Sequence, residues 1–388
     1  MKITSLKIKN FRNISKADFL FSDKTNIISG RNAQGKTNLA EAVCVAIDKS
    51  FRTSKASELL PSKISDNEIT LISGKEKPKC EIELLFYSDK YPDKENIITC
   101  NISGGKIIRK INSVSYKDAL QLYPQLKTIV FMPEDLYIIK GDPDKRRELT
   151  DETADMMNKI HHERTALYSR ALKQKNTFLS GLSDSKISND RLIQLSIWNE
   201  ELAKAGVNVM CGRLKYFQIL SKYTCEYYKE LSSSDEELEM EYISSIVKDT
   251  DIDLSDTDRI YNIYLEQLKK YLEKEIVVGH TLVGVHRDDV EFRINGKKAK
   301  DYASQGQIRS IAIAIRLAQA KMFGRKWGEE PVIILDDVLS ELDEKRREFI
   351  LKYIVNSQVF ITGCNNNDFE SLENSFRWKA ENGEFEKI

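Results

Sequence analysis

An α/β fold interrupted by a helical insertion is what this sequence predicts, and three observations carry the prediction. A short apolar stretch, Asn26-Ile27-Ile28-Ser29, runs into the turn Gly30-Arg31-Asn32-Ala33-Gln34-Gly35-Lys36-Thr37 and then into a helix from Lys36. A second apolar stretch, Val332-Ile333-Ile334-Leu335, ends in two adjacent carboxylates, Asp336 and Asp337. Between the two, strand-like alternation gives way to apolar residues at helical spacing. The expected division is a head lobe over 1–150, an inserted helical arm over 151–276 and a second head lobe over 277–388.

Each element has a local reason. Alternating apolar residues in the opening MKITSLKIKNFRNI, with Ile3, Leu6 and Ile8, read as a first strand and lack the continuous apolar run of a signal peptide. Further strands are expected over 68–73, 81–87, 97–102 and 128–132, set apart by Gly, Pro, Asp and Lys. Helices are expected over 198–231, through Leu202, Val209, Leu214, Phe217 and Leu220, and over 259–276, through Tyr261, Tyr264, Leu268 and Leu272. A helix of about 30 residues reaches about 45 Å, the length of a short arm. Between these helices, 235–258 holds ten acidic residues and one lysine, which reads as a solvated loop or helix face. Beyond 277 come a hairpin turning at Asn295-Gly296, a helix from about Ser304, the strand ending at Asp336, a helix over 344–355 and a strand over 358–362.

Composition narrows the classes. Sixty basic and sixty acidic residues leave no formal net charge, which excludes a globally basic nucleic-acid coat but not a local basic groove. With 41% hydrophobic and 31% charged residues the chain reads as globular. No apolar run approaches the roughly 18 residues of a membrane span. The six cysteines lie far apart without a CxxC pair, as expected of reduced thiols in a cytoplasmic protein. Secreted, membrane-spanning and structural-zinc classes do not fit.

The segment from Gly30 to Thr37 is a full GxxxxGK[ST] between a strand and a helix, the context that a P-loop requires. Its glycines let successive N–H groups turn toward phosphate oxygens, and the helix N-terminus adds positive charge. Lys36 is placed to reach the β/γ-phosphates of ATP, and the Thr37 hydroxyl to ligate Mg²⁺. Asp336 supplies a second Mg²⁺ partner, and Asp337 a group to orient or deprotonate an attacking water. Ser304-Gln305-Gly306-Gln307 opens a helix and makes either a second anion site or an ordinary N-cap. P-loop, long insert, SxGQ helix, strand ending in Asp-Asp and Ser340-Glu341-Leu342-Asp343 follow the order of ABC-type ATPases of the SMC-head-like branch.

Phe131-Met132-Pro133-Glu134-Asp135-Leu136, Lys140-Gly141-Asp142-Pro143 and Arg146-Arg147 resemble motifs of the bacterial recombination mediator RecF family. So do GRNAQGKTNLAEA, His286-Arg287-Asp288-Asp289, the run from Tyr302 to Gln307, and LDDVLSELD, so the resemblance spans Met1 to about Asn367. Two places depart from the family pattern. Arg147-Glu148-Leu149-Thr150-Asp151 stands where an Arg-Arg-x-Phe-Leu-Asp ending is usual, and Val285 stands where Pro usually precedes the His.

The resemblance implies an SMC-type ATPase head with a short arm, forming a homodimer on ATP binding. Ser304, Gly306 and Gln307 of one subunit would close over the γ-phosphate held by Lys36, Thr37 and Asp336 of the other. Asp337 would take the general-base position, its short side chain making hydrolysis slow, and Asp343 would lie at the dimer interface near the opposite site. Glu134 and Asp135 would link head, arm and nucleotide, or else cap the following helix; His286 and Arg287 have a functional role or form a turn with local ion pairs. It further implies a weak, DNA-stimulated ATPase that clamps single-stranded gaps or single/double-strand junctions. RecO and RecR would be its partners in loading RecA recombinase, in DNA repair, replication restart and SOS induction. Residues 1–55 carry eleven basic against four acidic side chains. Lys7, Lys9, Arg12 and Arg52 are the candidates for a sequence-independent, salt-sensitive DNA path. The rival reading is an SMC-like ABC ATPase acting on a protein partner without direct DNA binding.

Overall fold

The computed structural model describes residues 1–48, 50–53, 55–61, 80–103, 105–115, 126–182, 188–232, 236–247, 252–364 and 375–388. The strand expected over 68–73 lies outside them. Two compact units form: Met1–Pro133 with Phe323–Ile388, and Glu134–Met322. The units part at 133/134 and 322/323, whereas the sequence texture changes at 150/151 and 276/277.

The first unit opens with β1 (Lys2–Phe11) and β2 (Ile14–Leu20), an antiparallel hairpin whose turn carries Arg12 at φ 49°. β3 (Thr25–Ser29) leads to helix α1 (Lys36–Ile47). The strands β4 (Cys80–Ser88), β5 (Tyr91–Ser103), β6 (Lys106–Ile111) and β7 (Val114–Ser115) extend the hairpin into an antiparallel sheet ordered β2-β1-β4-β5-β6-β7. β8 (Thr128–Phe131) starts a second sheet. Ten of the twelve α1 residues are buried, as a helix must be when apolar almost all round. Its Val43, Ala46 and Ile47 share one core with Ile3, Leu6 and Ile8 of β1 and with Ile334 and Phe360.

The second unit is mostly helical. It holds α2 (Tyr137–Lys140), α3 (Pro143–Met157), α4 (Ile160–Ser180), the 43-residue α5 (Asn189–Leu231) and α6 (Thr257–Val278). Local chemistry sets their ends. Pro143 occupies the first turn of α3, the Ser188 and Asp256 side chains cap α5 and α6, and Gly279 ends α6 at φ 72°. Lys175 of α4 and Glu275 of α6, both fully buried, pair at 2.7 Å. The acidic stretch departs from expectation: it contains β9 (Leu238–Ile243), paired antiparallel with β10 (Asp289–Ile294). Leu238 and Tyr242 are buried while Glu239 and Glu241 point outward, so the acids occupy the wet positions of a period-2 pattern. The expected hairpin forms: Asn295 (φ 49°) and Gly296 (φ 75°) turn β10 into β11 (Lys297–Lys298). α7 (Ala299–Tyr302) and α8 (Gln305–Trp327) follow.

The chain then completes the second sheet of the first unit. β12 (Val332–Asp336), α9 (Glu344–Tyr353), β13 (Val359–Gly363), β14 (Ser375–Glu381) and β15 (Glu384–Lys387) give the order β15-β14-β3-β13-β12-β8, parallel except for β15. Val332 to Leu335 are fully buried, as central parallel strands require.

Candidate nucleotide site

Register decides what meets at the carboxyl edge of the parallel sheet. Asp336 pairs with Thr362, Thr362 with Ile28, and Gly363 with Ser29. The ends of β12, β13 and β3 therefore share one edge, where open parallel sheets take their ligands. The loop leaving β3 turns on two glycines. Gly30 sits at φ 153°, where a Cβ would meet the Ala380 carbonyl oxygen at 2.5 Å, and Gly35 sits at φ 107° against the Asn13 side chain. The loop is braced by the β14–β15 turn: Asn382 N–H donates to Gln34 Oε1 and Gly383 N–H to the Gln34 carbonyl. Sequence reasoning missed this hairpin, although Asn382-Gly383 is its signal.

Lys36 is 3% exposed, and its ammonium donates to the carbonyls of Gly30 (2.8 Å) and Arg31 (3.0 Å). A fixed positive charge thus sits inside a loop whose next helix presents its N-terminus. Arg31, Asn32 and Ala33 are exposed on the loop, Ala33 at φ 65°. Thr37 Oγ1 donates to Asp336 Oδ1 at 3.0 Å, and Thr362 Oγ1 donates to the same oxygen at 2.6 Å. Burial raises the Asp336 carboxyl above its usual range, opposed by the hydrogen bonds from Thr362 and Thr37 and reinforced by Asp337. Thr362, which sequence reasoning did not single out, also accepts the Asp337 N–H at 3.0 Å. Asp337 lies at φ 53°, a conformation Asp tolerates. Among the described residues its buried Oδ1 has no hydrogen-bond partner.

These groups fit a nucleoside triphosphate. Thr37 and Asp336 can together hold a divalent cation, one hydroxyl and one carboxylate leaving the remaining positions to phosphate and water as Mg²⁺ prefers. No cluster of three or more metal-binding side chains occurs among the described residues. The unpartnered Asp337 oxygen is placed to take a proton donor.

The remaining motif residues divide by unit. In the first, Asp343 caps α9, accepting the Arg346 N–H at 2.9 Å, and that bond holds its carboxyl below the usual range. Lys7 and Lys9 lie exposed on β1 opposite Glu83 and Glu81, Lys7 bridging to Glu83 at 3.2 Å. Arg12 grips the fully buried Glu41, which Arg52 approaches at 3.7 Å. In the second unit Ser304 and Gln307 form a capping box: Gln307 N–H donates to Ser304 Oγ and Ser304 N–H to Gln307 Oε1. Ser304 is exposed and Gly306 and Gln307 half-buried. Asp135 binds Arg316 of α8 at 2.6 Å, and Glu152 binds the same guanidinium at 3.2 Å. Arg146 pairs with Asp289 at 2.6 Å and Arg147 donates to the Asp288 carbonyl, so two distant motifs lock together. His286, pushed down to about 4 by burial, meets Tyr168 of α4 at 2.7 Å.

Fold and site together define a P-loop ATPase head of ABC type. The family described as "RecF/RecN/SMC N terminal domain" matches residues 2–386, and the chain belongs to the RecF family. A Bacillus subtilis protein named DNA replication and repair protein RecF is 34% identical over 387 residues, 99% of each chain. A Ruminiclostridium cellulolyticum protein of the same name is 34% identical over 379 residues, 96% of this chain and 95% of that one. A solved structure of the recombination mediator protein RecF with ATP, in the RecFOR pathway, matches at TM-score 0.86 and 30% identity over 100% of this chain and 97% of the other. An SMC head bound to the C-winged helix domain of ScpA matches at TM-score 0.55 and 14% identity over 100% and 98%, a likeness of fold alone.

Proposed function

We propose that this chain is an ATP-gated DNA clamp of RecF type in replication and repair. It would dimerise on ATP at single-stranded gaps or single/double-strand junctions and act with RecO and RecR to help load RecA. The supporting observation is the Thr37–Asp336–Thr362 arrangement beside the unpartnered Asp337 oxygen. Lys36 would release its loop carbonyls and hold the β/γ-phosphates, while Thr37 and Asp336 hold Mg²⁺, which spreads the developing charge. Asp337 orients the attacking water and accepts its proton. Exposed Ser304, with Gly306 and Gln307 at the start of α8, would close over the phosphate bound by a second copy, and Asp343 would lie at that interface. The short side chain of Asp337 at the general-base position makes turnover slow, so bound ATP serves as clamp and timer. Lys7, Lys9, Arg12 and Arg52 line the proposed DNA path, in a cytoplasmic protein.

The test is Asp337→Asn titrated into fluorescent gapped duplex with and without Mg·ATP, read by anisotropy and sedimentation together. The expected result is ATP-dependent dimerisation with tighter DNA binding. Lys36→Ala should bind no nucleotide, and Ser304→Arg should bind ATP yet stay monomeric. Normal ATP-driven dimerisation of Ser304→Arg would refute the trans site. Dimerisation that ignores DNA favours the protein-partner reading, in keeping with the glutamates opposite Lys7 and Lys9.

A further inference from the structure

The Gln307 side chain is occupied at both ends within its own unit. Its Oε1 accepts the Ser304 N–H at 2.7 Å, and its Nε2 donates to Glu236 Oε1 at 2.9 Å. The second carboxylate oxygen of Glu236 accepts the hydroxyl of buried Tyr228 at 2.6 Å. The next residue is fixed too: Glu237 N–H donates to Asn295 Oδ1 and the Glu237 carbonyl accepts the Asn295 N–H, tying this strand entrance to the β10–β11 turn. Glu236 is therefore held from two directions, and it holds Gln307.

We infer that Glu236 is a positioning residue that brakes nucleotide capture by latching Gln307. The inference rests on the reading of Ser304 to Gln307 as the segment that closes over the nucleotide of a facing copy. Two effects act in the same direction. A side-chain amide with both ends satisfied must give up a charge-assisted hydrogen bond before it can turn to a new partner. A carboxylate at 2.9 Å from the Gln307 side-chain amide also opposes the approach of a phosphate anion. Glu236 thereby sets the ATP concentration at which two copies join.

Sedimentation across a Mg·ATP titration tests this, with Asp337→Asn as the parent so that hydrolysis does not drain the dimer. Adding Glu236→Ala should lower the half-saturating ATP for dimerisation roughly three- to tenfold. Binding of a fluorescent ATP analogue, at protein concentrations too low for association, reports on the P-loop alone and should not follow that shift. Glu236→Gln keeps the hydrogen bond and removes the charge, and should fall between parent and Glu236→Ala. If Glu236→Ala does not fold, a fall with Glu236→Gln supports the latch and no fall overturns it. An unchanged or raised requirement in Glu236→Ala, with Ser304→Arg monomeric, refutes the latch alone. ATP-driven dimerisation of Ser304→Arg refutes the trans site beneath it.

Discussion

Asp336 is where stability and chemistry compete most openly. The residue is 7% exposed, and its carboxylate takes two hydroxyl hydrogen bonds on one oxygen and stands beside a second acid. Because burial raises its folded pKa above 3.8, ionising it favours the unfolded chain. That cost is absent below the ordinary Asp value and grows as pH rises through the raised one. Asp336→Asn keeps the acceptor for Thr37 and Thr362 and is expected to raise Tm at pH 7 while abolishing hydrolysis. The advantage should fade as the pH is brought toward 3.8. A Tm at neutral pH no higher than the parent's, followed by calorimetry, would show that the hydrogen bonds outweigh the burial. Lys36 with Thr37, and Asp336 with Asp337, could be picked out in the sequence because each pair sits in a short motif of its own, although 299 positions separate Thr37 from Asp336. Thr362 was not: a threonine ending an apolar strand is ordinary until parallel register sets it against Asp336.

At the scale of elements, the same divide separates local from distant causes. β3, α1, β12 and the Asn295-Gly296 hairpin announce themselves in short windows. β9 hides inside an acidic run because its buried partners, Leu238 and Tyr242, alternate with glutamates that only a neighbouring strand explains. The interlocking of Arg146 with Asp289 and of Asp135 with Arg316 joins motifs far apart in the chain, and nothing in either motif names its partner. The α4–α6 contact is equally silent in the sequence. Lys175 and Glu275 are fully buried, and burial lowers the Lys175 pKa despite the carboxylate beside it. Lys175→Ala strands Glu275, which also accepts the Leu282 N–H at 2.9 Å, and should cost about 3–5 kcal/mol in urea denaturation. The double replacement Lys175→Met with Glu275→Gln, which keeps an acceptor for the Leu282 N–H, should recover most of that loss. A single substitution as mild as the double would mean that water reaches the pair.

For the whole molecule, charge is balanced in sum but not in place. The proposed DNA path relies on a basic N-terminal segment whose Lys7 and Lys9 stand opposite Glu83 and Glu81, so those two contacts are worth less than a bare lysine's. Binding of the ATP-loaded Asp337→Asn dimer to gapped duplex should still weaken roughly tenfold or more between about 50 and 200 mM salt, with little preference for sequence. Affinity that held constant across that range would exclude a phosphate-led interface. Chain order has a consequence for how the molecule comes into being. In its sheet β3 touches only β13 and β14, both encoded near the far end of the chain. On the ribosome the glycine-rich loop emerges early, but the strand that carries it waits roughly tens of seconds of translation for either neighbour. The unit Glu134–Met322 is one continuous segment and is finished before those neighbours exist. A message cut short after Met322 would therefore yield the helical unit without β12, β13 and β14, a product unable to compete for ATP.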